Sequence, residues 1–323
     1  MPTVIEPPTS AATPGRPAPA ISSPAGPSTA AAIPTSVPYP TPLGREVPSP
    51  WTLKGDAYWF FPSPTLLPWS PPELPEGAYQ ATAATSAERH GRFVGGLANI
   101  QLVRYTESPV WPYDELLYVP GSFEMPAGLG DGDGDDGGGR RSNKAALRIT
   151  RIYVSTLAST VNGRRNWNIP KRLARFAFDP VDPAKLSGPT RVSVFACLSN
   201  AASGSPAFAP EPFFSVILTP SILPSFPLKS QYLPLDLRLV MPPLDDETAA
   251  GHELVGTERW ASLTPSLVGP CRAVWGKGAL TGPGNRWTDG VGFPDTKPYS
   301  LGLVWENVRP LSCRPDKGVG ERG

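Results

Sequence analysis

From Trp51 onward the chain breaks into short runs in which apolar side chains recur every second position or nearly so. That period predicts β-strands with one buried face. The first run, "WTLKGDAYWFF", is rich in aromatics. "RFVGGLANIQLVRY" (92–105), "DELLYVPG" (114–121) and "ALRITRIYVSTLAS" (146–159) follow, the last dense in β-branched residues. Gly95 and Gly96 are expected to mark a β-bulge inside the second run. Six further strands are expected in "TRVSVFACLS", "PFFSVILTP", "LPLDLRLVMPP", "HELVGTERWASL", "CRAVWGKGAL" and "YSLGLVWENV". A helical period is scarce. It is expected around "SAERHGRF" and in the short "PKRLARFAF", where Pro170 suits a first helical position. Many strands separated by Gly/Pro turns predict a closed or strongly curved sheet.

Composition changes the picture at the ends and in two loops. Residues 1–48 form a Pro/Ala/Ser/Thr tract with few large apolar side chains. Such a tract cannot offset its ordering entropy by burial, so a disordered tail is expected there. One domain is expected over 49–312, with a flexible tail over 313–323. The stretches 128–143 ("GLGDGDGDDGGGRRSN") and 199–212 read as surface loop inserts. The 44 prolines argue against a helical protein. A net charge of +1 gives no field of one sign, so neither nucleic acid nor a membrane surface is expected as partner. No apolar run reaches the length of a membrane span. Cys197, Cys271 and Cys313 are odd in number and widely spaced, and no signal peptide is visible. A cytoplasmic setting is expected.

Much candidate chemistry fails on inspection. Asp131, Asp133 and Asp135 imitate the start of a calcium loop, but position six is Asp136 instead of glycine and position twelve is Ser142 instead of glutamate. His90 and His252 stand in no metal-ligand spacing, and no Gly-x-Ser-x-Gly elbow exists. Neither metal nor organic cofactor is expected. Lys171 is different. It follows Pro170, precedes Arg172 and lies among Trp167, Ile169, Phe176 and Phe178. A lysine attacks a carbonyl only when neutral, which at an ordinary pKa of about 10.4 is rare near pH 7. An apolar pocket and a fixed cation such as Arg172 both favour the neutral amine. The bland alternative is a lysine whose stem lies on apolar surface and whose head is in water.

These residues resemble a known family. "GRRNWNIPKRLARF" is similar to the active-site segment of the acetoacetate decarboxylase family, Gly-Arg-x(5)-Pro-Lys-Lys/Arg-Leu. Gly163, Arg164, Pro170, Lys171 and Leu173 fall in step, with Arg172 at the second basic position. "SPVWPYDELLYVPG" resembles the family's glutamate-bearing stretch and maps that glutamate onto Glu115, with Tyr113 two residues before it. The resemblance spans 51–310. It implies an α+β, mainly antiparallel β-cone or double-barrel fold enclosing a central pocket, and a homo-oligomer. It also implies a Schiff-base lyase that decarboxylates a β-keto acid through a Lys171 iminium, with Glu115 orienting substrate or shuttling the proton. Arg164 is a candidate partner for the substrate carboxylate, with Arg104 a lesser one. Gln101 is the polar group nearest to where the family carries a second carboxylate, and Tyr113 and Trp167 are candidate pocket linings. That second carboxylate and the family's early arginine are missing here; only Lys54 lies near the latter position. Three alternatives therefore stay open: an aldolase-dehydratase using the same lysine, an inactive binding protein of the same fold, or an interaction protein acting through its proline tail.

Overall fold

The computed structural model describes residues 46–62, 73–79, 91–125, 145–185, 188–198, 206–233, 236–248, 254–282 and 284–313. The acidic loop, both histidines and most of the 1–48 tract lie outside the described residues, as do the helix expected around "SAERHGRF" up to its residue 90 and residues 199–205 of the second insert. In chain order the strands are β1 (Trp51–Phe60), β2 (Phe93–Gly95), β3 (Asn99–Glu107), β4 (Tyr113–Val119), β5 (Ser122–Glu124), β6 (Ala145–Leu147), β7 (Arg151–Val154), β8 (Lys171–Pro180), β9 (Thr190–Ala196), β10 (Phe214–Pro220), β11 (Phe226–Lys229), β12 (Leu239–Met241), β13 (Ala261–Leu263), β14 (Val268–Gly278) and β15 (Leu301–Cys313). One helix of three turns, α1 (Leu157–Trp167), joins β7 to β8.

Nine strands close on themselves. The order β10-β9-β8-β7-β4-β3-β1-β15-β14 returns to β10 through a β10–β14 pairing, and β11 extends the sheet from β14. Every neighbouring pair in that ring is antiparallel except β7–β8, which is parallel and needs the α1 crossover. The fold is thus a mainly antiparallel barrel, as the sequence pattern predicts. A second sheet, β13-β12-β6-β5-β2, lies apart from the ring.

Strand alternation sorts the apolar residues into two cores. Phe60, Ile100, Leu102, Leu116, Val194 and Phe214 belong to one cluster, to which all nine ring strands contribute. This cluster fills the barrel interior. Trp59, Val103, Leu117 and Ile152 point the other way and pack with Leu239, Met241 and Leu263 of the second sheet. That second core lies between the barrel wall and the five-stranded sheet.

The two sheets share chain. β2 leads into β3, β4 into β5 and β6 into β7, so three runs pass from one sheet to the other. The expected strand 92–105 is split at such a corner. Gly95 (φ +87°) and Gly96 (φ +109°) adopt backbone angles that side chains disfavour, and the chain turns there. The expected strand 146–159 is likewise two strands and the start of α1.

The helix and strand around the lysine correct the sequence reading. "PKRLARFAF" is not helical; it is β8, and the helix lies just upstream. Thr156 caps α1, its hydroxyl accepting from the Ser159 amide at 3.3 Å. Asn168 ends it in the left-handed region (φ 54°), where its amide donates to the Arg164 carbonyl. Pro170, with no N–H, then bars further helix, and β8 begins at Lys171. The helix has no clean apolar stripe. Its buried face carries Ser159, Thr160, Asn162 and Gly163, so a hydrophobic period could not reveal it. Glu46 and Val47, assigned to the tail on composition, are tied to this helix. Glu46 pairs with Arg165, the Val47 amide donates to Asn162 Oδ1 at 2.7 Å, and its carbonyl accepts from Asn166.

Candidate active site

Lys171 opens β8 beside Ile152 of β7, on the face that looks toward the second sheet. Lys171 is 3% exposed, and its side chain runs across the flank of α1. Gly163 makes that path possible: a Cβ there would stand 2.5 Å from Lys171 Cδ and 2.7 Å from Cε. The lysine Nζ ends 2.8 Å from Glu115 Oε2, 3.0 Å from Ser159 Oγ and 3.5 Å from the Tyr113 hydroxyl. It also lies 5.0 Å from the centre of the Tyr113 ring, within cation–π range. Glu115 is 5% exposed, so the two charges form a buried pair.

Two influences on the amine oppose each other. Burial is the largest single one and favours the neutral form. The Glu115 carboxylate and Tyr113 together outweigh it and hold the Lys171 pKa above the ordinary lysine range. The expected depression of this pKa is therefore not what the resting geometry produces. Arg172 does not supply it either. It points away on the other face of β8, and one guanidinium nitrogen donates to both Glu247 oxygens at 2.9 and 2.7 Å. Its positive charge is balanced there.

The raised pKa carries a testable sign. A lysine held above its unfolded value stabilises the fold fully below about pH 10, and loses that contribution as pH climbs through the native value. Wild type and a Lys171→Met/Glu115→Leu double variant should differ in unfolding free energy by a constant amount between about pH 7 and 9, with the difference drifting against wild type only above about pH 10. Denaturant unfolding across that range checks it. A drift beginning near neutrality would contradict the geometry.

Beside the pair lies a cavity of about 300 Å³, in the layer between barrel and second sheet. Its wall is mostly apolar, with Leu117, Val119, Ile149, Leu239 and Leu263 among the lining residues. Glu115 is among the lining residues and Lys171, paired with it, is not. Asn99, Gln101, Tyr105 and Ser122 are its neutral polar groups, and exposed Asp236 adds a second acid. Among the described residues no arginine, lysine or histidine lines it, and no three potential metal ligands converge.

The structure thus brings together Lys171, Glu115 and Tyr113, with Gln101 farther along the same wall. It does not bring the arginines in. Arg164 is 2% exposed on α1, where it donates to the carbonyls of Val255 (2.8 Å) and Asp245 (3.1 Å) and approaches Glu247. Burial pushes its pKa down to about 10. It braces the segment beyond β12 and does not reach the cavity. Arg104 faces outward over Phe178 beside Asp114, and Lys54 pairs with Glu107. Trp167 packs edge-on against Trp51, ring centres 4.9 Å apart, and is not a lining residue. Ser159, whose hydroxyl accepts from the lysine tip, was missed by sequence reasoning because it sits in a stretch read as strand.

No family model and no curated protein sequence matches the chain. Among solved structures it is similar to the enduracididine biosynthesis enzyme MppR complexed with the condensation product of pyruvate and imidazole 4-carboxaldehyde. That match has a TM-score of 0.44 and 12% identity, and covers 83% of this chain and 90% of that one. It is similar to acetoacetate decarboxylase from Legionella pneumophila subsp. pneumophila str. Philadelphia 1, with a TM-score of 0.39 and 10% identity over 87% of this chain and 93% of that one. An acetoacetate decarboxylase-like enzyme from Sphingomonas wittichii RW1 gives a TM-score of 0.41 and 11% identity over 86% and 96% of the two chains.

Proposed function

We propose that this protein is an enzyme that captures a carbonyl compound as a Schiff base on Lys171, with Glu115 moving the proton between the amine and the substrate oxygen. One observation carries the reading: a buried lysine–carboxylate pair at 2.8 Å, in which Glu115 is a lining residue of a mostly apolar cavity. A buried ion pair adds little to stability compared with apolar packing, so its retention calls for another use. The match of Gly163, Arg164, Pro170, Lys171 and Leu173 to a lysine-activating motif supports the same use.

The step balances without a further reactant. Glu115 accepts a proton from the Lys171 ammonium, leaving a neutral amine beside a carboxylic acid. The amine nitrogen adds to the carbonyl carbon, and the carbonyl oxygen takes the proton from Glu115. The carbinolamine then loses its hydroxyl as water, with the second proton drawn from the nitrogen through Glu115. One ammonium and one carbonyl become one iminium and one water, and Glu115 ends as it began. Activation by proton transfer inside the pair replaces activation by a standing low pKa.

The fate of the iminium separates decarboxylation of a β-keto acid from aldol addition and dehydration. The cavity wall favours the second. A substrate carboxylate would meet Glu115 and Asp236 and, among the described residues, no cation on the wall to offset its desolvation. Incubation with borohydride and either an aryl alkyl ketone or the matching β-keto acid tests the reading. The expected result is a reduced adduct on the peptide carrying Lys171, absent in Lys171→Ala. No mass increment with any carbonyl compound would overturn the Schiff base. CO2 release from the keto acid would move the reaction to decarboxylation.

A further inference from the structure

The Lys171 ammonium carries three N–H donors, and the fold sets three oxygens around them. Glu115 Oε2 stands at 2.8 Å, Ser159 Oγ at 3.0 Å and the Tyr113 hydroxyl at 3.5 Å. Packing does not account for Ser159. It is fully buried in the first turn of α1. Alanine is the better helix former there, and a hydroxyl costs free energy to take out of water. Among the described residues that hydroxyl bonds to nothing but Lys171. Its place is fixed from two sides. Its amide donates to the Thr156 cap. β4 and α1 also leave from one hydrogen-bonded corner: the Asp114 amide donates to Ser155 Oγ at 2.8 Å, and the Ser155 amide donates to the Asp114 carbonyl at 3.0 Å. Glu115 follows Asp114, and Ser159 lies one helical turn past Ser155, so both reach the amine from the same frame.

We propose that Ser159 aims the Lys171 amine, holding one N–H throughout the reaction so that the lone pair opens toward Glu115. The proposal rests on the Schiff-base reading. When the ammonium passes a proton to Glu115, the lone pair is left where that N–H was. Ser159 and Tyr113 retain the other two, and an amine held at two positions cannot turn its lone pair away. Of these four residues only Glu115 lines the cavity, so the electrons are left on the side of the one member a substrate can meet. The carbon–nitrogen bond forms in that direction. A second N–H is lost with the departing water, and the iminium keeps one. Ser159, the nearer of the two neutral oxygens, accepts it. The serine neither gains nor loses a proton, so the balance of the capture is unchanged. A hydrogen bond from a cationic N–H to a fixed, buried oxygen is worth about 10- to 100-fold in an equilibrium or a rate.

Ser159→Ala and Tyr113→Phe decide it, each compared with wild type by the rate at which an aryl alkyl ketone gives a borohydride-trapped adduct on Lys171. Ser159→Ala is expected to slow capture about 10- to 100-fold, and Tyr113→Phe by less, since its oxygen is farther off. The ketone concentration giving half the maximal rate should stay within about twofold in Ser159→Ala, because Ser159 is not a lining residue. Labelling of Lys171 by an amine-specific reagent should begin at lower pH in Ser159→Ala, because the ammonium has lost an acceptor. A serine that only packs would move neither the maximal rate nor the labelling curve. A maximal rate that is unchanged or faster in Ser159→Ala, a loss confined to the half-saturating concentration, or an unshifted labelling curve overturns the proposal. If wild type forms the adduct and Ser159→Ala forms it as fast, the aiming role alone falls. If wild type forms none, the Schiff base falls and takes this role with it.

Discussion

Glu115→Gln is expected to lower turnover by about 100- to 10,000-fold while making Lys171 easier to deprotonate. The two effects run in opposite directions, and that opposition is the test. Glutamine keeps the volume and a hydrogen-bonding tip but removes the negative charge. The lysine, fully enclosed, is left with burial as its dominant influence, and burial favours the neutral amine. A buried ammonium with no counter-charge neutralises sooner than it persists. If Lys171 needed only a low pKa, the variant would be faster. If Glu115 must also deliver and withdraw protons at the substrate oxygen, the variant is slow despite its neutral amine. Labelling of Lys171 by an amine-specific reagent as a function of pH, set against turnover, reads both quantities. Unchanged turnover would remove Glu115 from the proton path.

Gly163→Ala should cost more activity than stability. Alanine adds up to about 1 kcal/mol of helix propensity at an interior position. Against that, its Cβ would overlap the middle of the Lys171 side chain, which overpacking data rate at about 1–3 kcal/mol. The lysine cannot step aside without cost, since Glu115, Ser159 and Tyr113 hold its end. The net loss of stability is small, but the amine moves. A displacement of about 1 Å at a reacting group costs on the order of 100-fold in rate. Urea unfolding and turnover measured on the same preparation check the split. Activity retained to within a few-fold would mean the lysine does not need this path.

The barrel was legible because most of its strands alternate and are bounded by glycine or proline. β1, β4, β9, β10 and β14 fall where the pattern places them. The local geometry around the lysine was not legible. β8 begins Lys-Arg-Leu-Ala-Arg-Phe, two basic residues and then two apolar ones, which breaks strand alternation and suits a helical spacing, and α1 buries serine, threonine and asparagine that no hydrophobic count detects. Lys171 and Glu115 were visible as residue types in a motif. Their contact depends on β4 and β8 flanking β7, which spacing alone does not reveal. The arginines misled for a plain reason: charge near in sequence is not charge near in space, and both Arg164 and Arg172 are turned toward Glu247.

Three runs of chain belong to the barrel and to the second sheet alike, and this restricts how a molecule gets in. The layers cannot swing apart as jaws, because doing so would tear the backbone pairing at each shared corner. Among the described residues, side-chain motion at the rim offers a way in, where Leu97 and Asp236 are already exposed. Occupancy should therefore slow amide exchange in both layers together, and heat should melt them as a single unit.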